Sequence, residues 1–234
     1  MIKLFDLAGR DDRLRFSPYC WRTKMALLHK GLPFETIAWR FTEKDAIAPS
    51  KQIRVPTLVD GSEWIADSFP IALHLDRTHP DKPALMRGDA ERAAARFVNT
   101  WCDFTLHLAM RSLLLLDVYN NAAEKDRSYF RESREKAVGQ TLEQLCGDRA
   151  GSVETFVKTF APMERTLKDE RFLGGTQPNY ADYALFGSLQ WANAISGTTF
   201  LPPDSAGAAW FERLLDHHDG YARKAPTVRE LATA

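Results

Sequence analysis

The chain changes character near residue 80, and this change limits the possible folds more than any other feature of the sequence. Before it, short strand-like runs such as Ile2–Phe5 and Phe34–Trp39 alternate with stretches of helical spacing. After it, apolar residues recur almost only at helical spacing. The pattern predicts an α/β domain over residues 1–80, a linker over residues 81–88 and an all-α domain over residues 89–234.

A predicted β-hairpin closes the first part and leads into a helix. Val55–Val59 and Glu63–Ile65 have the composition of short strands, and Asp60-Gly61 between them is typical of a tight turn. Asp67-Ser68 follows the hairpin and is suited to cap a helix. The second helix of this domain is therefore expected to begin there.

The helical part contains an amphipathic pattern, a charged segment and a capped helix. Four apolar residues fall on one face of a predicted long helix: Phe97, Trp101, Phe104 and Leu108. Lys125–Leu145 has sparse apolar positions, which predicts a more exposed helix. Asn179 and Asp182 form a variant of the capping box, which predicts the start of a buried helix ending near Ile195.

Composition argues against several functional classes. The chain has 31 Lys and Arg residues against 31 Asp and Glu residues, and this zero net charge gives no support to nucleic-acid binding. No apolar run approaches the ~20 residues of a membrane-spanning helix, so no membrane partner is expected. The first residues show no signal-peptide pattern, which predicts a cytoplasmic location.

The residues that commonly bind metals are sparse and poorly spaced. There are three cysteines and no CxxC pair, which argues against a zinc site and a disulfide framework. His217 and His218 are adjacent on a predicted helix, so their rings are expected to diverge. We expect no metal cofactor.

The segment Ser17-Pro18-Tyr19-Cys20 follows a strand and a loop and opens a helix. Unpaired backbone N–H groups and the helix dipole make such a position favourable for an anion, including a thiolate. Glutaredoxin-like proteins carry a reactive cysteine at the place of Ser17. A serine hydroxyl cannot form a disulfide, but it can donate a hydrogen bond to the thiolate of a bound ligand. The alternative is that Ser17 only caps the helix.

Two further segments could hold an extended peptide-like ligand. If the bond between Val55 and Pro56 is cis, the Val55 backbone groups turn out of the sheet; otherwise Pro56 is an edge-strand proline. The N–H groups at the Asp67-Ser68 helix start could bind a carboxylate, and Asp67 could bind an ammonium group. The alternative for this pair is an ordinary helix cap.

In this order and spacing, the three segments resemble the glutathione transferase family, and the resemblance covers essentially the whole chain. It implies a thioredoxin-like α/β N-terminal domain, an all-α C-terminal domain and glutathione as co-substrate. The γ-glutamyl end would lie at Asp67 and Ser68, the cysteinyl backbone at Val55 before Pro56, and the thiol at Ser17. Matched residue by residue, the implied glutathione site comprises Ser17, Arg54, Val55, Pro56, Asp67 and Ser68.

A narrower likeness is to the bacterial β-etherases and the related fungal etherase-like glutathione transferases. It rests on these runs: Ser17-Pro18-Tyr19, Trp21-Arg22-Thr23-Lys24, His29-Lys30-Gly31, Arg54-Val55-Pro56-Thr57, Trp64 with Asp67-Ser68, and Leu173-Gly174-Gly175 through Asp182-Tyr183. Related transferases share the glutathione half of the site and differ in the other pocket. These runs therefore indicate the family more strongly than the substrate.

The expected chemistry is attack by the glutathione thiolate on an electrophilic carbon in a second pocket. We predict that this pocket is lined by Phe16, Tyr19, Trp101, Phe104, His107 and Arg111. Phe104, His107 and Arg111 share one helical face, although such stripes usually belong to a core. The electrophile is expected to be hydrophobic and aromatic. The alternatives are cleavage of a β-aryl ether and a non-catalytic glutathione-binding module, whereas Ser17 disfavours a thiol-disulfide oxidoreductase. The resemblance also implies a homodimer.

Overall fold

The structure, a computed structural model, describes residues 1–233, and its first part is a four-stranded mixed sheet. The strands are β1 (Ile2–Leu7), β2 (Phe34–Trp39), β3 (Thr57–Asp60) and β4 (Glu63–Ala66). They lie in the order β2-β1-β3-β4, with β1 parallel to β2 and the other pairs antiparallel. On the central strand β1, Leu4 is paired with Thr36 of β2 and with Leu58 of β3.

The hairpin differs from its prediction at one end. We expected β3 to begin at Val55, but it begins at Thr57. Pro56 has no N–H to donate to a neighbouring strand, so regular pairing starts after it. The segment between β2 and β3, which shows no regular sequence pattern, contains a short 3₁₀ helix over Lys44–Ser50.

The first two helices lie in the α/β part with the sheet, and the chain after them is helical. The helices are α1 (Pro18–His29), α2 (Ser68–Thr78), α3 (Gly88–Trp101), α4 (His107–Asn121), α5 (Glu124–Val138), α6 (Leu142–Leu145), α7 (Arg149–Asp169), α8 (Tyr180–Ser196), α9 (Ala206–Gly220) and α10 (Val228–Thr233). The order predicted from the sequence, an α/β part followed by an all-α part, is confirmed. In the described residues no helix is both long and apolar enough to cross a membrane.

Three helical predictions need correction. The long helix expected through Phe97 and Leu108 contains a π-helical turn, Cys102–Leu106, between α3 and α4. The helix expected over Lys125–Leu145 ends at Val138, because the next residue, Gly139, has a left-handed φ of 75° that glycine readily adopts. His217 and His218 lie in a kink of α9, and their ring centroids are 4.3 Å apart instead of diverging.

The start of α1 is fixed against the helical part by close packing and a buried charge. Helix α8 passes so near α1 that a Cβ on Gly187 would collide with the carbonyl oxygen of Pro18. The fully buried Arg22 guanidinium donates from Nε to the Ala184 carbonyl at 3.2 Å and pairs with Asp103 at 2.8 Å. These contacts hold the N-terminus of α1 in a fixed position beside α3, α4 and α8.

Candidate functional site

Ser17 caps α1 and also lines a cavity between the two parts of the chain. Its Oγ accepts a hydrogen bond from the Cys20 N–H at 3.2 Å. The side chain is buried, yet it contributes to the wall of a cavity of about 450 Å³. Because the oxygen is used as the cap acceptor, the hydroxyl hydrogen can point into the cavity and donate there. The capping role and a thiolate-binding role are therefore compatible.

Cys20 lies one turn further along α1 and is shielded from the cavity. Its thiol is fully buried, with Sγ 3.9 Å from the carbonyl oxygen of Phe5. Burial raises the pKa of the Cys20 thiol far above its ordinary value, so the neutral form is favoured. This environment disfavours a redox role for Cys20.

The segment before β3 presents backbone groups to the same cavity. The Val55–Pro56 bond is cis, and Arg54 and Val55 line the cavity together with Ser17. Among the described residues, neither the N–H nor the C=O of Val55 forms a backbone hydrogen bond. These two groups can therefore pair with an extended ligand.

Asp67 precedes α2 in a conformation that is rare for a residue with a side chain. Its φ is 73° and its ψ is 136°, and its exposed carboxylate does not cap its own helix. Its N–H donates to the Pro56 carbonyl at 3.1 Å, which holds the start of α2 beside the segment before β3. Left-handed backbone at a polar residue is common at ligand-binding positions. Within residues 1–233 no side chain caps the first N–H groups of α2, which can bind an anion.

Tyr19 is the second hydroxyl near the start of α1, and its proton is directed away from that position. Its Oη lies 3.4 Å from His107 Nδ1, and His107 Nε2 lies 2.8 Å from Ser188 Oγ. Ser188 Oγ can donate to the Ala184 carbonyl at 3.3 Å, so His107 donates from Nε2 and accepts at Nδ1. Burial lowers the pKa of His107 and keeps it neutral, while burial raises the pKa of Tyr19. Tyr19 therefore donates to His107.

The remaining cavity wall is rich in aromatic side chains and comes from both parts of the chain. Four of the six residues predicted for the second pocket line it: Phe16, Tyr19, His107 and Arg111. The other two, Trp101 and Phe104, do not line it. Phe104 is 72% exposed because the π-helical turn changes the helical phase between α3 and α4, so it does not share a face with His107.

Further wall residues were not predicted, because local spacing does not show which faces of strands, loops and helices the fold brings to the cavity. They are Leu7, Trp39, Phe41, Ile53, Asp103, Leu115, Val118, Tyr129, Phe130, Ser133, Arg134, Ala137, Val138 and Trp191. Helix α5 supplies Phe130 and Arg134, which lie one turn apart. This spacing, with Ser133 between them, was the signal in the charged segment that could have placed α5 at the site.

The loop after β2 brings Phe41 to this wall. The fully buried Asp126 of α5 accepts hydrogen bonds from the N–H groups of Phe41 and Thr42, at 3.1 and 3.0 Å. Phe41 then packs on Phe130, with ring centroids 5.2 Å apart. The loop after β2 and helix α5 thus share an aromatic contact in this wall.

A second cavity of about 750 Å³ lies elsewhere, between α1, β2 and the segment after α9. It contains none of the three segments described above. In its wall the Lys24 ammonium binds Asp6 at 3.0 Å and lies over the Trp21 ring. Within the described residues no group of three or more His, Cys, Asp or Glu side chains is placed to hold a metal ion.

Curated relatives cover most of the chain. The glutathione S-transferase-like protein ustS of Aspergillus flavus is 27% identical over 202 residues, which cover 74% of this chain and 72% of that protein. The probable glutathione S-transferase GSTU6 of Oryza sativa subsp. japonica is 29% identical over 210 residues, covering 84% of this chain and 80% of that protein.

Two solved structures share the fold over nearly the whole chain. Both are glutathione S-transferases of Ceriporiopsis subvermispora in complex with glutathione. One has a TM-score of 0.81 at 21% identity and covers 94% of this chain and 99% of its own. The other has a TM-score of 0.73 at 24% identity and covers 99% of this chain and 95% of its own. The predicted combination of a thioredoxin-like domain and a helical domain is confirmed.

Two family profiles match consecutive parts of the sequence. The profile described as "Glutathione S-transferase, N-terminal domain" matches residues 13–83. The profile described as "Glutathione S-transferase, C-terminal domain" matches residues 93–217, which is more than half of the chain. The chain therefore belongs to the glutathione S-transferase family.

Proposed function

We propose that this protein binds glutathione at the start of α1 and transfers its thiolate to a hydrophobic aromatic electrophile. The observation that carries the proposal is the position of Ser17. Its oxygen accepts from the Cys20 N–H, so its hydroxyl hydrogen is left for a group in the cavity. A thiolate there also benefits from the helix dipole.

The geometry supports one orientation of glutathione. Its cysteinyl backbone would pair with the N–H and C=O of Val55, which lines the cavity with Ser17. Its γ-glutamyl carboxylate would bind the N–H groups at the start of α2 and the Ser68 hydroxyl. The γ-glutamyl ammonium group would pair with the exposed Asp67 carboxylate. Arg54, beside Val55, would take the remaining carboxylate.

The reaction needs a thiolate at neutral pH. A free thiol has a pKa near ~8.5, so lowering it by about 2 requires ~2.7 kcal/mol of preferential thiolate stabilisation. Ser17, the helix dipole and nearby N–H groups together can supply this. The thiol proton passes to solvent, the sulfur forms a bond to the electrophilic carbon, and the leaving group departs with the electron pair.

Cleavage of a β-aryl ether is the second candidate. The likeness to etherases favours it, and so does the aromatic wall formed by Phe16, Phe41 and Phe130, which suits an aryl group. In that reaction the thiolate attacks the carbon next to a ketone, and phenoxide leaves. Both candidates use the same glutathione site and differ only in the electrophile.

Measuring turnover of two substrates distinguishes general conjugation from β-aryl ether cleavage. Glutathione consumption should be measured with one aryl halide, 1-chloro-2,4-dinitrobenzene, and one β-aryl ether ketone. Binding should be measured by calorimetry for the wild type and for Asp67→Asn, since asparagine tolerates the left-handed backbone. We expect turnover of at least one substrate, and weaker glutathione binding by ~1–3 kcal/mol in the variant. Tight glutathione binding without turnover of either substrate would indicate a non-catalytic binding module.

We also propose that the protein is a homodimer in which the helical part of each protomer contacts the N-terminal domain of its partner. A stripe of apolar side chains along α3, the π-helical turn and α4 supports this proposal: the exposed Phe97, Phe104 and Leu108 and the half-buried Trp101. Phe97, Phe104 and Leu108 are 67%, 72% and 50% exposed. Large apolar side chains that adjoin on one surface commonly mark a protein–protein contact.

A further inference from the structure

Three arginines line the cavity without carboxylate partners. Arg54 lies before β3, Arg111 on α4 and Arg134 on α5. Among the described residues none of the three forms an ion pair; the only side-chain hydrogen bond of Arg134 is to Ser133 Oγ, at 3.0 Å. Other arginines nearby are paired, as Arg131 is with Glu135 and Glu143.

The cavity has little negative charge to balance them. Asp103 is the single carboxylate among its lining residues, and it is already bound to Arg22 at 2.8 Å. His107 is neutral, because burial lowers its pKa. A cleft lined by one sign of charge concentrates its field inside and attracts ions of the opposite sign. The empty volume therefore favours an anion.

Arg134 is the most constrained of the three. Its guanidinium lies 4.8 Å from the Phe130 ring centroid and 5.7 Å from that of Phe41. It is half-buried, and burial is the main cause that lowers its pKa; Tyr129 opposes this shift, and the charges of Arg54 and Arg111 add to it. A partly desolvated cation without a counterion is unfavourable until an anion binds. Stacking on two rings keeps the edge donors of the guanidinium available for such an anion.

We propose that the preferred electrophile is an aromatic molecule that carries a permanent anionic group, such as a carboxylate, held by Arg134 and Arg111. This inference rests on the proposed function, in which Arg54 binds glutathione. The aryl ring would pack on Phe41, Phe130 and Phe16, and its carboxylate would face the two guanidinium groups.

A matched pair of substrates tests the anionic preference, because any intrinsic difference in their reactivity is the same for the wild type and its variants. 4-Chloro-3,5-dinitrobenzoate and 4-chloro-3,5-dinitrobenzamide carry the same reacting carbon and differ in one anionic group. With either substrate the glutathione sulfur bonds to the ring carbon, the C–Cl bond breaks, and chloride leaves with the electron pair. The ratio of kcat/KM for the benzoate to that for the benzamide should be measured at saturating glutathione.

Arg134→Gln should lower this ratio about tenfold or more relative to the wild type, because a charged hydrogen bond is lost. Arg111→Gln should lower it less, since Arg111 is exposed to solvent. Arg134→Lys should recover part of the ratio. Arg131→Gln is the matched control on the same helix and should leave the ratio unchanged, because Arg131 does not line the cavity.

The experiment distinguishes a failure of the anionic preference from a failure of the proposed transferase activity. If the wild type converts both substrates but Arg134→Gln and Arg111→Gln leave the ratio unchanged, the anionic preference is wrong and the transferase proposal stands. An increased KM for glutathione with an unchanged ratio would instead assign these arginines to glutathione, which also overturns the preference.

If neither substrate is converted, binding decides the question. Calorimetry would measure both molecules on the wild type saturated with S-methylglutathione, which occupies the glutathione site but cannot react. Tighter binding of the benzoate that is lost in Arg134→Gln would uphold the anionic preference without transferase activity. Equal affinities for the benzoate and the benzamide would overturn it.

Discussion

At the scale of single residues, Ser17 accepts one hydrogen bond as the cap of α1 and, in the proposed function, donates another to the thiolate, so the two roles have different readouts. Ser17→Ala should lower kcat about 10- to 100-fold and raise the pKa of bound glutathione toward its free value near ~8.5, because the donor to the thiolate is lost. The kinetic pKa would come from the pH dependence of turnover. The lost helix cap should cost a further ~1 kcal/mol of stability, read separately from urea unfolding.

Ser17→Thr keeps the hydroxyl and serves as the control, with turnover near that of the wild type. If Ser17→Ala conjugates as fast as the wild type, Ser17 is not the thiolate donor, and Tyr19 becomes the first alternative. The hydrogen bond from Tyr19 to His107 argues against that alternative, because it engages the hydroxyl proton of Tyr19.

Residues near Ser17 show what the sequence can and cannot predict. The capping position of Ser17 follows from local spacing, since Pro18 begins the helix, and this prediction is confirmed. The burial of Arg22 does not follow from local spacing. Its guanidinium is accommodated by Asp103 and the Ala184 carbonyl, which are far away in the chain. Whether a charged side chain can be buried thus depends on partners that only the fold brings close to it.

At the scale of helices and strands, predictions were reliable where a local chemical signal sets the boundary. The capping box of α8 is present as predicted, with Asn179 and Asp182 satisfying the first turn. The break between α3 and α4 was not predicted, because its π-helical turn has no proline or glycine within Cys102–Leu106. Asp103 lies in this turn and pairs with Arg22, so the irregular turn coincides with an ion pair between distant parts of the chain.

Asp182 joins three segments and should dominate the stability of this region. Its buried carboxylate accepts from the N–H groups of Leu173, Gly174 and Asn179 and from the Trp210 indole. Burial raises its pKa despite these donors. Asp182→Ala should lower the free energy of unfolding by about 3 kcal/mol or more, because four buried or partly buried donors lose their acceptor.

Urea unfolding followed by circular dichroism measures this loss, and Asp182→Asn should be intermediate because its amide oxygen still accepts. Asp169→Ala is the control, since Asp169 is exposed and its ion pair with Arg165 should contribute ~1 kcal/mol or less. A loss below about 1 kcal/mol for Asp182→Ala would show that its hydrogen bonds are replaced by water.

At the scale of the whole molecule, the sequence cannot distinguish an apolar face that is buried in a core from one that awaits a partner. Phe97, Trp101, Phe104 and Leu108 share one side by spacing alone, which suggested that Trp101 and Phe104 could reach the second pocket. The fold instead directs Phe97, Phe104 and Leu108 outward. Helical periodicity shows which residues share a face, but only the packing of the fold shows whether that face is buried or exposed.

This outward stripe leads to a prediction about assembly. Light scattering of the wild type at micromolar concentration should give about twice the chain mass of 26.5 kDa. Phe104→Glu places a charge at the most exposed residue of the stripe and should shift the mass to that of one chain, because burying an unpaired carboxylate is strongly unfavourable. Lys168→Glu, at an exposed position on α7, is the control and should remain dimeric. A wild type that stays monomeric would exclude the dimer, and a dimeric Phe104→Glu would place its interface on another surface.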